Sequence, residues 1–146
     1  MYLLDTNVVS ELRKAKNAHR GVRTWAQALP VTSLFLSAIS ILELEIGVLL
    51  IERRDRKQGT VLRGWLDGHV LPAFSGRILP IDTAVAQRCA PLHVPDPSSD
   101  RDALIAATAL VHGMAVVSRN VNHFQFRGLT VINPWEPGAP GKISRQ

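Results

Sequence analysis

Short apolar runs alternate along this chain with longer segments whose apolar positions recur every three or four residues, the pattern of strands each followed by a helix. Tyr2-Leu3-Leu4 is the first run and stops at Asp5, after which Thr6 or Asn7 offers a helix cap ahead of Val8, Val9 and Leu12. From Ala18 to Leu29, Val22, Trp25, Ala26 and Leu29 keep helical spacing until Pro30 closes the segment. Leu34-Phe35-Leu36 reads as a second strand, and Ser37 and Ser40 introduce an apolar helix from Ile41 through Ile51. A basic turn, Arg53 to Lys57, precedes a helix around Thr60 to Leu71, with Pro72 beyond its end. Arg77 to Ile81 is a third strand, and Asp82 or Thr83 caps a helix through Ala90. Pro91, Pro95 and Pro97 mark a loop before a helix from about Arg101 to His112, for which Gly113 supplies the left-handed stop. Met114 to Val117 and Leu129 to Ile132 are the fourth and fifth strands.

Strands alternating with helices imply right-handed crossovers, hence an α/β fold: a three-layer α/β/α sandwich around a mostly parallel five-stranded sheet. The 146 residues fit one domain, placed at residues 1–136, with a Pro- and Gly-rich tail at 137–146 expected to be flexible. The hydrophobic fraction of 46% and charged fraction of 20% exclude a disordered chain. The net charge of +5 attracts polyanions such as nucleic acid, although charge alone does not separate such a binder from any basic protein. Cys89 is the single cysteine, which excludes an internal disulfide, argues against a cysteine-based metal site and favours a reducing compartment; it is expected to pack in a helix. The opening residues lack the pattern of a signal peptide and no apolar run is long enough to span a bilayer, so a cytoplasmic protein is expected.

In an open parallel sheet ligands bind beyond the carboxyl ends of the strands, and three acids stand at such boundaries. Asp5 ends the first strand, where helix cap and ligand are equally good readings. Glu43 lies three residues after Ser40 in a capping-box pattern, yet its place in the first turn of a helix that follows a strand also brings it to the sheet edge. Glu45 belongs to another face and is expected in solvent. Asp102 falls in the first turn of its helix, where the macrodipole favours an acid, and Asp100 is the better cap of the two. Three carboxylates on one edge repel one another unless a cation sits among them, and hard oxygen ligands select Mg²⁺, with Mn²⁺ as a substitute. Such an ion suits phosphodiester hydrolysis.

In their local settings these residues resemble the PIN-domain family, and most closely its VapC-type toxins from type II toxin–antitoxin pairs. Leu3-Leu4-Asp5-Thr6-Asn7 is similar to the family's first motif, implying Asp5 as the first metal-binding acid with Thr6 and Asn7 beside it. Leu36 to Leu44 with Gly47 resembles the second, implying Glu43 as the second acid and Ser40 as a supporting residue. Arg101 to Ala109 resembles the third, with Asp102 as the third acid, and Val116-Val117-Ser118-Arg119-Asn120 and Asn133-Pro134-Trp135 resemble the final strands. The likeness runs from Met1 to about Trp135. It implies a metal-dependent endoribonuclease acting on single-stranded or looped RNA, often transfer RNA, that forms a homodimer and is held by a VapB-type antitoxin, with higher-order assembly in its company.

The chain departs from that pattern where the family commonly carries a fourth acid: Asn120 and His123 stand at the two positions used. Asn120 brings an amide oxygen for a water or an ion but no charge, which weakens a second metal and leaves a one-metal site. His123 is a base, a phosphate contact or a surface residue. The missing acid motivates a rival reading, a PIN-like module that grips RNA or antitoxin with weak or no nuclease activity. A flavodoxin-like signalling domain with a phosphorylated aspartate is a third. Arg13, Lys14, Arg20, Arg23 and Arg119 are candidates for a phosphate-binding rim, each also readable as a solvated helix residue. Trp25, Phe35 and Trp65 read as core or subunit contacts, while Phe124 and Trp135 are left open.

Overall fold

A computed structural model describes residues 1–136 and the backbone of Lys142–Ile143. Strands β1 (Tyr2–Leu4), β2 (Leu34–Ser37), β3 (Ile78–Leu79), β4 (Ala115–Val117) and β5 (Thr130–Ile132) form a parallel sheet, and β6 (Lys142–Ile143) adds an antiparallel edge strand; the order is β3-β2-β1-β4-β5-β6. The expected sandwich with five parallel strands is therefore present, enlarged by one short strand. Apart from Lys142–Ile143, the expected flexible tail lies outside the described residues.

Side chains alternate across β1 as the pleat requires. Leu4 joins Leu34, Leu36 and Val117 in a core covered by helices α1 (Thr6–Leu12), α2 (Arg20–Gln27), α3 (Ala38–Arg54) and α4 (Arg56–Trp65). Leu3 faces the other way, against Val116, Val131 and α7 (Asp100–His112), and α6 (Thr83–Cys89) packs outside α7 with Val85 and Cys89 buried. Phe124, left open by the sequence, is fully buried in this second core.

Two helix starts differ from the sequence reading. Ser37, whose hydroxyl accepts from the Ile39 amide at 3.0 Å, caps α3, so Ser40 lies inside the helix and the expected Ser40–Glu43 capping box does not form. Glu43 consequently sits in the second turn of α3, one turn deeper than expected. Ser99 rather than Asp100 precedes α7, and both Asp100 and Asp102 fall in its first turn.

The expected basic turn at Arg53 to Lys57 shrinks to a single residue. Asp55 ends α3 and caps α4 by accepting from the Gln58 amide at 3.1 Å. The two helices then lie so close that a Cβ on Gly59 would stand 2.5 Å from the Glu52 Cα, which only glycine avoids. Arg63 of α4 reaches back to Glu45 at 2.8 Å and Glu52 at 3.2 Å, so Glu45 is ion-paired rather than free in solvent. The helical path beyond α4 continues through a π turn, Leu66–Val70, into the short α5 (Leu71–Ala73). Gly113, at φ 66°, ends α7 in the left-handed conformation expected of it. Among the described residues no helix is long and apolar enough to cross a membrane.

Candidate active site

β1 pairs with β2 on one side and β4 on the other, so the chain's connections leave it in opposite directions and open a crevice at its carboxyl end. A cleft of about 920 Å³ lies there, lined among others by Asp5, Thr6, Asn7, Glu43, Asp102, Arg119, Asn120 and His123. Three acids separated by up to 97 residues in sequence thus share one cavity.

Asp5 is the most deeply held. It is 7% exposed; its Oδ1 accepts from the Thr6 backbone amide at 2.8 Å and its Oδ2 from the Ser118 hydroxyl at 2.7 Å and the Asn7 side-chain Nδ2 at 3.3 Å. It therefore caps α1 and still presents a carboxylate to the cleft: the two readings left open by the sequence coexist. Thr6 donates its hydroxyl to Glu43 Oε1 at 2.8 Å, tying the first acid's helix to the second acid. On its other oxygen Glu43 faces Arg101 at 3.8 Å, and Asp102 faces His123 Nδ1 at 3.5 Å.

Burial holds the Asp5 carboxyl above the ordinary aspartate range, and the Asp102 charge raises it further, against the hydrogen bonds from Ser118 and Thr6 and the nearby His123. Burial likewise lifts Asp102, with Glu43 adding to the rise and His123 and Ser99 opposing it. Asp5 thus senses the charge of Asp102, and Asp102 that of Glu43. Among the described residues, however, no three His, Cys, Asp or Glu side chains are drawn together tightly enough to hold a metal ion between them. The donor set fits a hard, hydrated ion such as Mg²⁺, which keeps several waters and takes only one or two carboxylates directly.

Ser118, quoted in the sequence motif but assigned no role there, is the hub of the site. Its fully buried hydroxyl donates to Asp5 and accepts from the Asn120 backbone amide at 2.9 Å and the Asn7 side chain at 3.3 Å. Nothing in sequence distinguishes such a serine from a strand-end residue, because its side-chain partners are 113 and 111 positions away. Ser118→Ala leaves Asp5, Asn7 and the Asn120 amide each short of a partner, and is expected to cost about 1–3 kcal/mol in a urea unfolding curve. An unchanged midpoint would show that the hydroxyl contributes nothing beyond filling space.

Asn7 turns its Oδ1 toward the Arg119 amide at 3.4 Å, which fixes the loop after β4, and the Asn120 side chain lines the cleft without a hydrogen-bond partner among the described residues. Ser40, by contrast, is fully buried away from the cleft wall and its hydroxyl finds no partner among the described residues. Of the expected basic rim, Arg13, Lys14 and Arg119 line the cleft, joined by Arg101. Arg20 and Arg23 do not. Arg23 bonds the Lys16 carbonyl at 2.8 Å and faces a separate groove on α2.

Residues 2–128 match the PIN domain family. The chain is 41% identical over 142 residues to the VapC ribonuclease Y4jK of Sinorhizobium fredii, a match covering 94% of this chain and 99% of that one. Its fold superposes on the crystal structure of FitAcB from Neisseria gonorrhoeae with a TM-score of 0.84 at 36% identity, over 93% of this chain and 99% of that one. A chain of a toxin–antitoxin complex from Klebsiella pneumoniae matches with a TM-score of 0.64 at 25% identity, again over 93% and 99%. On these matches, and on a cleft that gathers the acids of the three motifs, this protein belongs to the PIN domain family, in its VapC-type branch.

Proposed function

We propose that this chain is a metal-dependent endoribonuclease that acts as the toxin of a VapBC-type toxin–antitoxin pair. The observation that carries this reading is the meeting of Asp5, Glu43 and Asp102 in one cleft at the sheet's switch point, with two of the three carboxyls held above their ordinary range. A bound Mg²⁺ or Mn²⁺ would offset that repulsion, and Asp5, Glu43 and Asp102 are the residues that would hold it. When bound, such an ion supplies a polarised phosphoryl oxygen and an acidified water.

The chain's own residues do the rest. Ser118 and the Thr6 amide hold Asp5 in one orientation, and Thr6 holds Glu43. Asn120, with a free amide oxygen, orients the attacking water. Arg13, Lys14, Arg101 and Arg119 bind backbone phosphates around the acidic floor, so that RNA is drawn to a cleft whose centre carries negative charge. RNA, with transfer RNA as the class implied by the VapC-type likeness, is the substrate; the partners are a VapB-type antitoxin and a second copy of the chain, and the setting is the bacterial cytoplasm.

Cleavage of a labelled RNA by the purified protein tests the reading. We expect cleavage with Mg²⁺ or Mn²⁺, loss in EDTA and recovery on adding back the ion. Binding without cleavage under all three conditions would instead establish the rival, an RNA- or antitoxin-gripping module, for which the non-acidic Asn120 and His123 at the fourth-acid positions are the supporting observation.

A further inference from the structure

Among the described residues, Trp135 is the single Trp, Tyr or Phe lining the carboxylate cleft. The molecule's other tryptophans are engaged elsewhere: Trp25 packs edge-on against Tyr2, with ring centres 5.3 Å apart, and Trp65 lies on the helical core under Arg13, 5.8 Å from its ring centre. Trp135 is only half-buried. The loop after β5 places it by a hydrogen bond from its backbone amide to Asn133 Oδ1 at 3.0 Å. The Arg119 guanidinium stands over its ring at 5.5 Å, and the His19 ring lies 6.3 Å away at a 40° tilt. Arg119 is also one residue from Ser118, the hub that holds Asp5.

A flat aromatic surface, a guanidinium over one of its faces and a phosphate-cutting centre across the same cleft are three parts that together can hold an unpaired nucleotide next to a scissile bond. We infer that Trp135 and Arg119 form a nucleotide subsite in which an unpaired base of the RNA stacks on the indole while Arg119 binds the adjoining phosphate. This rests on the ribonuclease reading above and assigns two residues to gripping the substrate beside the scissile bond. Bases paired and stacked inside a duplex do not present a free face, so the subsite gives a residue-level basis for the single-stranded or looped RNA that the family likeness implies. Arg119 has a ready position for this, because its cation–π contact with the ring holds the guanidinium at the cleft wall rather than in open solvent.

Binding measured in EDTA, by fluorescence anisotropy of a labelled single-stranded oligoribonucleotide, separates this inference from catalysis. Trp135→Ala is expected to weaken binding about 5- to 150-fold, the usual effect of removing one base–aromatic stack, and Trp135→Phe to retain most of the affinity. Hairpin-free duplex RNA is expected to bind wild type and Trp135→Ala alike. Because Trp135 also rests on the core, oligonucleotides carrying a single abasic site, scanned along the strand, provide a measurement on the intact wild-type protein. One abasic position is expected to weaken wild-type binding and to have no further effect on Trp135→Ala. Equal affinity of wild type and Trp135→Ala for single strands, or no abasic position that matters to wild type, would overturn the subsite. Failure of wild type to cut RNA with Mg²⁺ would overturn the ribonuclease reading and leave the binding result standing.

Discussion

Asp102→Asn is expected to lower RNA cleavage at saturating Mg²⁺ by about 10³-fold or more and, at pH 8 in EDTA, to melt at a higher temperature than wild type. The first effect follows from losing a carboxylate that binds the ion, since several kcal/mol of charge stabilisation are at stake and each 1.4 kcal/mol is about tenfold in rate. The second follows from the electrostatics of the empty cleft. Asp102 is lifted above its ordinary range by burial and by Glu43, so its charged form is disfavoured in the folded protein, and a neutral isostere removes that cost. The His123 ring, 3.5 Å away, opposes that rise without cancelling it. A residue kept for structure gives the opposite pattern: lower melting temperature and cleavage that falls only with the folded fraction. Cleavage assays and calorimetry on the same preparation distinguish the two.

The metal-free protein is expected to lose stability as pH rises from about 4 through the raised values of Asp5 and Asp102, and millimolar Mg²⁺ or Mn²⁺ to remove that decline. Both groups titrate higher in the folded chain than in the unfolded one. Within that window the folded state keeps protons that the unfolded state has released, so each step up in pH favours unfolding; below about 4 both states are protonated and the contribution is fully present. A cation that binds only the folded, deprotonated cleft acts in the other direction, adding about 2.7 kcal/mol at a concentration one hundred times its Kd. Chemical denaturation across pH, in EDTA and in Mn²⁺, measures both slopes, and Asp102→Asn isolates the part due to the cleft. Superimposable curves with and without cation would contradict the assignment of these acids to a metal.

Much of this was legible in the residues. Apolar runs such as Leu3-Leu4 and Val116-Val117 are too short and too uniformly apolar to be anything but strands buried on both faces, and the sheet follows from them. Asp5, Glu43 and Asp102 each looked like a cap or a first-turn acid, and only their joint position at strand ends pointed to chemistry. The misses have physical causes. Ser37 and Ser40 both satisfy the rules for an N-cap, and the choice went to Ser37 because β2 runs straight into the helix. Ser118 was invisible as a hub because long-range side-chain bonds leave no local pattern. The ion pairs of Arg63 depend on how α3 and α4 fold back on each other at Gly59, which the expected turn at Arg53 to Lys57 made too loose to suggest. Lys142–Ile143 is too short a strand, in a segment rich in Pro and Gly, to stand out from a tail.

The most direct measurement of the central claim is anomalous diffraction from crystals of the protein grown with Mn²⁺. A peak is expected in the cleft between β1 and α7, held by Asp5, Glu43 and Asp102. A Mn²⁺-saturated crystal with that cleft free of anomalous density would contradict the claim.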